Sequence, residues 1–182
     1  MKKSSKIRRP EKPVMISAVT YSWKGDKFIF LSLIFILSGV YFLLFANHIF
    51  FYQENRILFV FSSEYLCRFI SKPGGLLEYA GNFITQGYFN NIYGSAVQAL
   101  LFTAVAAVFL KINNRISPGR SFSLLFASLV SCSLFLMQTN INYRIHNNLG
   151  FLLAGIYFLI SIYSGQKVSR ILVPVMFPFF ST

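Results

Sequence analysis

Groups able to carry acid–base, metal or thiol chemistry are scarce in this sequence: its 182 residues hold five Asp and Glu, two His and two Cys. Cys67 and Cys132 stand in no C-x-x-C or other metal-ligand spacing, and one falls in a polar connection while the other lies inside an apolar run. That excludes a disulfide framework and a zinc site, so both read as small apolar fillers. His48 and His146 are solitary, each at the edge of an apolar run, and lone histidines there read more readily as hydrogen-bonded structural groups than as ligands. The charged share is 12%, against roughly a quarter in soluble domains. No charge stands in the middle of a long apolar run, where proton relays and ion paths place one, which argues against a coupled transporter. No cofactor motif is present.

What the chain has in excess is apolar surface: 55% hydrophobic residues, 18% aromatic, 22 of them Phe. Such a composition belongs in a bilayer. Residues Phe28 to Asn47, "FIFLSLIFILSGVYFLLFAN", run without a charge for 20 residues, enough at about 1.5 Å each to cross a hydrocarbon core of roughly 30 Å. The run is longer than a signal-peptide core and no A-x-A-like site follows it, so it reads as an uncleaved signal anchor. Further spans are expected near Ile92 to Leu110, Phe122 to Gln138 and Leu149 to Gly165. The terminal "ILVPVMFPFFST" is too short to cross and is broken by Pro174 and Pro178. It is expected to lie at the cytoplasmic face, or to lead into the remainder of a longer protein.

Basic residues orient these spans. Eight Lys and Arg precede Phe28, three (Lys111, Arg115, Arg120) follow the second span, and two (Lys167, Arg170) follow the fourth. Only Arg56, Arg68, Lys72 and Arg144 fall on the other side. The positive-inside rule therefore places the N-terminus and the 111–121 connection in the cytoplasm. The net charge of +12 raises nucleic acid as a partner, but no basic stretch is interleaved with aromatics that would stack bases. The tail "KKSSKIRRPEKP" instead sets topology and meets anionic lipid. Membrane lipids and other membrane-protein subunits are the expected partners, not nucleic acid.

The expected fold class is all-α: a polytopic membrane protein of about four transmembrane helices with an amphipathic helical hairpin in the first outer loop. Its divisions are a basic cytoplasmic tail (1–27), a span (28–47), an outer loop with two juxtamembrane helices (48–91), three spans (92–165) and a cytoplasmic tail (166–182). In the second span Ser95, Ala99, Thr103 and Ala107 recur every four residues and form a small-residue stripe for close helix approach. Ser123, Ser128, Ser131 and Ser133 offer hydroxyls along the third. In the outer loop, Ser62 or Ser63 caps a short helix to Ile70, "SKPGG" ends it, and a second helix begins at Leu76. Leu76, Leu77, Ala80, Phe83, Ile84, Gly87 and Tyr88 share its apolar side, with Glu78, Asn82, Thr85 and Gln86 opposite. That pattern predicts a helix lying along the membrane interface.

From Phe51 to Ser95 the chain resembles the signature region of an uncharacterised bacterial family of large polytopic inner-membrane proteins. The shared features are Tyr52-Gln53-Glu54, the Pro73–Leu76 turn, and Tyr79, Gly81, Phe83, Thr85 and Gln86. The resemblance implies residence in a bacterial inner membrane, with this chain matching the N-terminal portion of longer members, and assigns no activity. The architecture is also similar to that of polytopic glycosyltransferases that use lipid-phosphate-linked sugars. That likeness implies an acidic residue of the first outer loop as base or metal ligand. Glu54 takes this role, Glu78 assists, and Arg144 and His146 in "NINYRIHNN" contact a lipid phosphate. A structural or accessory module ranks first among the readings, the glycosyltransferase-like enzyme second, and burial of Glu54 against Arg144, His146 or the polar stripe around Glu78 discriminates them.

Overall fold

The structure, a computed structural model, describes residues 23–57, 59–116 and 120–180. The basic segment 1–22 and its topogenic role lie outside the described residues. The described residues form seven α-helices and a 3-10 turn: α1 Trp23–Leu44, α2 Asn47–Asn55, α3 Ser63–Ile70, α4 Gly75–Thr85, the turn Gln86–Phe89, α5 Asn91–Ile116, α6 Arg120–Gln138 and α7 Ile145–Phe180. Three of them contain stretches long and apolar enough to cross a membrane: Gly25–Leu44, Asn91–Ile116 and Ile145–Tyr163. The third expected span is the shorter apolar helix Phe122–Gln138.

Helix α5 is the centre of the bundle, with α1, α6 and α7 packed against it. Of its most apolar window 56% is buried, against 11% for α1 and 22% for α7. The small-residue stripe explains the closest approach: Ser95 and Ala99 are buried, and a Cβ on Gly39 of α1 would stand 3.6 Å from that of Ala99. Around this seam Phe42 stacks on Phe102 at 6.0 Å, and both rings meet Phe135 of α6 edge-on. Ser38 and Thr103 turn their hydroxyls back onto the carbonyls of Ile34 and Ala99, at 2.6 and 2.7 Å, which lets them sit in apolar surroundings.

The connection from α1 to α5 follows the expected hairpin with two differences. Ser62 caps α3, its Oγ accepting from the Tyr65 N–H at 3.1 Å, and Gly74 takes φ 68°, the left-handed conformation that the turn requires. The first difference is an additional helix, α2, whose Ile49, Phe50 and Gln53 are buried one turn apart. The polar ends of "NHIFFYQEN" conceal that spacing in the sequence. The second is the orientation of α4. Gly81, Asn82 and Thr85 are the buried side, packed toward α7, while Phe83 is 50% exposed and joins an aromatic cluster with Phe59 and Phe61. Asn82 and Thr85, read from the sequence as part of the polar side, are thus buried, and Leu77 of the apolar side also packs on α7, against Gly150. The physical reason is steric: Gly81 lies against the backbone of His146, where a larger side chain would hold the helices apart, and Thr85 satisfies its hydroxyl on the Gly81 carbonyl at 2.8 Å.

Two further expectations change. Helix α7 continues past Gly165 through Pro174 and Pro178 to Phe180, where a Pro-broken tail was expected. A proline removes one backbone donor and bends a helix without always ending it. Cys67 and Cys132 are free and exposed, so neither is an interior filler.

The contact at Gly81 yields a test. A Cβ there would stand 2.7 Å from the Cβ of His146. Gly81→Ala should destabilise the purified protein by about 1–3 kcal/mol through overpacking, outweighing the roughly 0.5–1 kcal/mol that alanine gains in a helix. Thermal melts of the two proteins measure the sign directly, and a higher melting temperature for the variant would refute the close α4–α7 contact.

Candidate functional site

Polar side chains collect at the end of the bundle where α2, α4, the 139–144 connection and the start of α7 meet. Three of the four residues singled out in the sequence come together here. Arg144 Nη1 donates to Glu78 Oε1 at 3.2 Å, and His146 packs against Gly81, less than one helical turn beyond Glu78 on α4. Both Glu78 and Arg144 act electrostatically on His146. Glu78 lies in the first turn of α4, where a carboxylate suits the helix dipole, whereas Arg144 directly precedes α7, where a cation does not. Their pairing therefore offsets an unfavourable placement. The two side chains are 49% and 32% exposed, which limits the pair to about 0–1 kcal/mol.

Glu54 is not part of this group. It opens into a hollow of about 350 Å³ with Asn55, Ile57 and Gln86, of which Ile57 also borders the small hollow beside Arg56 and Arg144, and among the described residues its carboxylate makes no ion pair. Its neighbours on α2 face elsewhere. Gln53, buried, donates through Nε2 to the Tyr143 carbonyl at 2.8 Å, and Arg56 donates through Nη1 to Asn142 Oδ1 at 3.0 Å while lying over the Tyr52 ring. Gln86, read from the sequence as part of a solvated stripe, donates to the Phe59 carbonyl at 3.0 Å and ties the turn after α4 to the chain before α3.

Sequence reasoning missed the groups that are buried most deeply. Asn148 Nδ2 donates to Gln138 Oε1 at 2.8 Å, locking the end of α6 to the start of α7, and both residues are fully buried. Gln98 Nε2 donates to Tyr88 Oη at 3.0 Å beneath the rings of Phe50 and Phe42. Burial pushes the Tyr88 phenol far above its ordinary range, so it remains a neutral hydrogen-bonding group at every pH the protein meets. The available signal was a single amide inside or at the edge of an apolar helix, which marks an interhelical contact. Among the described residues no three His, Cys, Asp or Glu side chains converge as metal ligands.

Two larger concavities are apolar. One of about 470 Å³ lies between α1 and α6 over Phe102 and includes Ser38, Tyr41, Ser131 and Phe135. Another, of about 320 Å³, lies between α5, α6 and α7 and is lined by Phe109, Asn113, Phe126, Phe151 and Phe158. Neither brings an acid, a base and a nucleophile together.

Fold and site thus define an all-helical bundle around one central helix, with three helices long and apolar enough to cross a membrane and a polar cluster at one end. The chain belongs to a family of unknown function, DUF6057, whose model matches residues 22–181. No curated protein and no solved structure matches it.

The two classes of polar contact differ in energetic weight. Arg144→Gln should change stability by no more than about 1 kcal/mol, because the lost pair is exposed. Asn148→Leu removes the one bond that the buried Gln138 Oε1 accepts, beside an Nε2 that has no partner in the first place, and should cost about 1–3 kcal/mol. Denaturation of the purified variants in parallel checks this order, and a larger loss for Arg144→Gln would reverse the assignment.

Proposed function

We propose that this chain is an integral membrane protein of the bacterial inner membrane with a structural or accessory role. Its N-terminus and 111–121 connection face the cytoplasm, and its α2–α4 region faces outward. Phe28, Ile29, Leu37 and Leu44 of α1, Leu100 of α5 and Leu125, Leu129 and Leu136 of α6 are all more than half exposed, a surface that suits lipid or further membrane helices. The exposed aromatics of the hairpin, Phe61, Phe83 and Phe89, suit the interfacial layer. Such a module supplies a folded scaffold on which other membrane subunits assemble.

The observation that carries the accessory reading over an enzymatic one is the position of Glu54. A glycosyltransferase-like site needs that carboxylate to face Arg144, His146 or the polar stripe around Glu78; its hollow includes Gln86 of that stripe but not Arg144, His146 or Glu78 itself. Glu78 is already engaged by Arg144, which leaves it poorly suited to act as a base.

Reporter fusions within residues 111–121 should read cytoplasmic, and fusions at residues 71–75 external. The opposite pattern would overturn the topology. Glu54→Gln should support whatever phenotype the intact gene confers at the wild-type level, in a complementation assay with membrane insertion verified. A loss of activity of roughly a hundredfold or more without loss of insertion would establish a catalytic carboxylate.

A further inference from the structure

Helices α6 and α7 both pack on α5, and the cleft between the three holds about 320 Å³. Phe109, Phe126, Phe151 and Phe158 line it, with the Phe109 ring stacked on Phe151 at 5.4 Å. Phe126 and Phe158 are exposed, so the cleft opens at the surface of the bundle. One lining residue does not suit this apolar setting. Asn113 is 6% exposed, and its amide Nδ2 is buried without a hydrogen-bond partner. A buried N–H left unpaired costs about 1–3 kcal/mol, which an acceptor brought into the cleft recovers. The level of this amide along α5 follows from the length of the helix. At about 1.5 Å per residue the 26 residues Asn91–Ile116 extend about 39 Å, beyond a hydrocarbon core of roughly 30 Å. Asn113 stands three residues before the end of α5, between the charges of Lys111 and Arg115. It therefore falls at the boundary between hydrocarbon and headgroups, while Phe109 lies one turn deeper.

We propose that this cleft binds one acyl ester of a membrane glycerolipid, its chain along the phenylalanine rings and its ester carbonyl accepting from Asn113 Nδ2. The volume selects the occupant. A single turn of a partner helix, about 5.4 Å long and 10–12 Å across, already exceeds the cleft, whereas one hydrocarbon chain is slim enough to enter it. Depth selects the acceptor, because a glycerolipid carries its ester carbonyls where the hydrocarbon ends, the level at which the unpaired amide stands. Apolar rings below and a single donor above thus match the two parts of an acyl ester in their order along the membrane normal. The proposal rests on the membrane residence inferred above, and on neither the topology nor the accessory role.

Melting-temperature titrations on the purified, delipidated full chain in a sugar detergent test the site. The probes are dioleoyl phosphatidylglycerol and the corresponding dialkyl ether lipid, which has the same headgroup and no ester carbonyl. The ester lipid should raise the melting temperature saturably, since a ligand of the folded state stabilises it by mass action. The ether lipid should bind about three- to tenfold more weakly, the worth of one hydrogen bond. Asn113→Leu should abolish that difference without lowering the melting temperature of the lipid-free protein, because the amide nitrogen it removes has no partner. Ala154→Phe, at an exposed position lining the cleft from α7, should fill it and remove the stabilisation by either lipid. No saturable shift with the ester lipid, equal binding of the two lipids by the unaltered protein, or a full shift in Ala154→Phe would each overturn the proposal. A lower lipid-free melting temperature in Asn113→Leu would do so too, by placing the amide in a contact within the protein. Release of the chain from membranes by alkaline carbonate without detergent would instead refute the membrane reading, so the two fail separately.

Discussion

The packing of α1, α6 and α7 around α5 is the constraint on which the remaining structure depends. A helix can be surrounded this closely only if the residues it offers to each neighbour are small or flat. Ala99 lets α1 approach at Gly39, Phe102 completes a three-ring cluster with Phe42 and Phe135, and Gly155 of α7 meets Val108 and Phe109. Once α5 is enclosed, its neighbours keep most of their own apolar surface outward, and the α1–α6 groove follows from the space that α5 leaves between them. The exposed surface is a consequence of a single-centre design, in which one helix is buried and the others are half-buried at most.

Polar contacts divide by depth within this framework. Deep amides, Gln98 with Tyr88 and Gln138 with Asn148, join segments that apolar packing alone would leave free to slide, because an unpaired amide in such surroundings is costly. At the hairpin end, the more exposed contacts of Arg56 and Arg144 contribute little to stability and much to the position of the guanidinium groups. Glu54, the acidic residue most prominent in the sequence, belongs to neither set of contacts.

Local signals were legible from the residues alone. The Ser62 cap, the Pro73–Gly75 turn, the first long apolar run and the small-residue stripe of α5 each act over one or two helical turns, and each is present in the structure. Periodicity did less well where both sides of a helix have partners. In α4 the pattern set Asn82 and Thr85 on the polar side, yet both are buried, since the close approach of α7 at Gly81 leaves room for small side chains on that part of the helix. In α2 the buried spacing of Ile49, Phe50 and Gln53 was hidden by the polar residues around it.

Sequence by itself determined that this chain is helical and which stretches are apolar enough to cross a membrane, because hydrogen bonding within a helix and the apolar character of a run are properties of contiguous residues. Tertiary structure alone decided which polar groups meet. Glu78 and Arg144 are 66 residues apart, Arg56 and Asn142 are 86 apart, and Gln53 and Tyr143 are 90 apart. No local rule couples residues at such separations. Their convergence follows from how α4 and α2 dock near the start of α7, a matter of steric fit at Gly81 and of burial at Phe50 and Ile145.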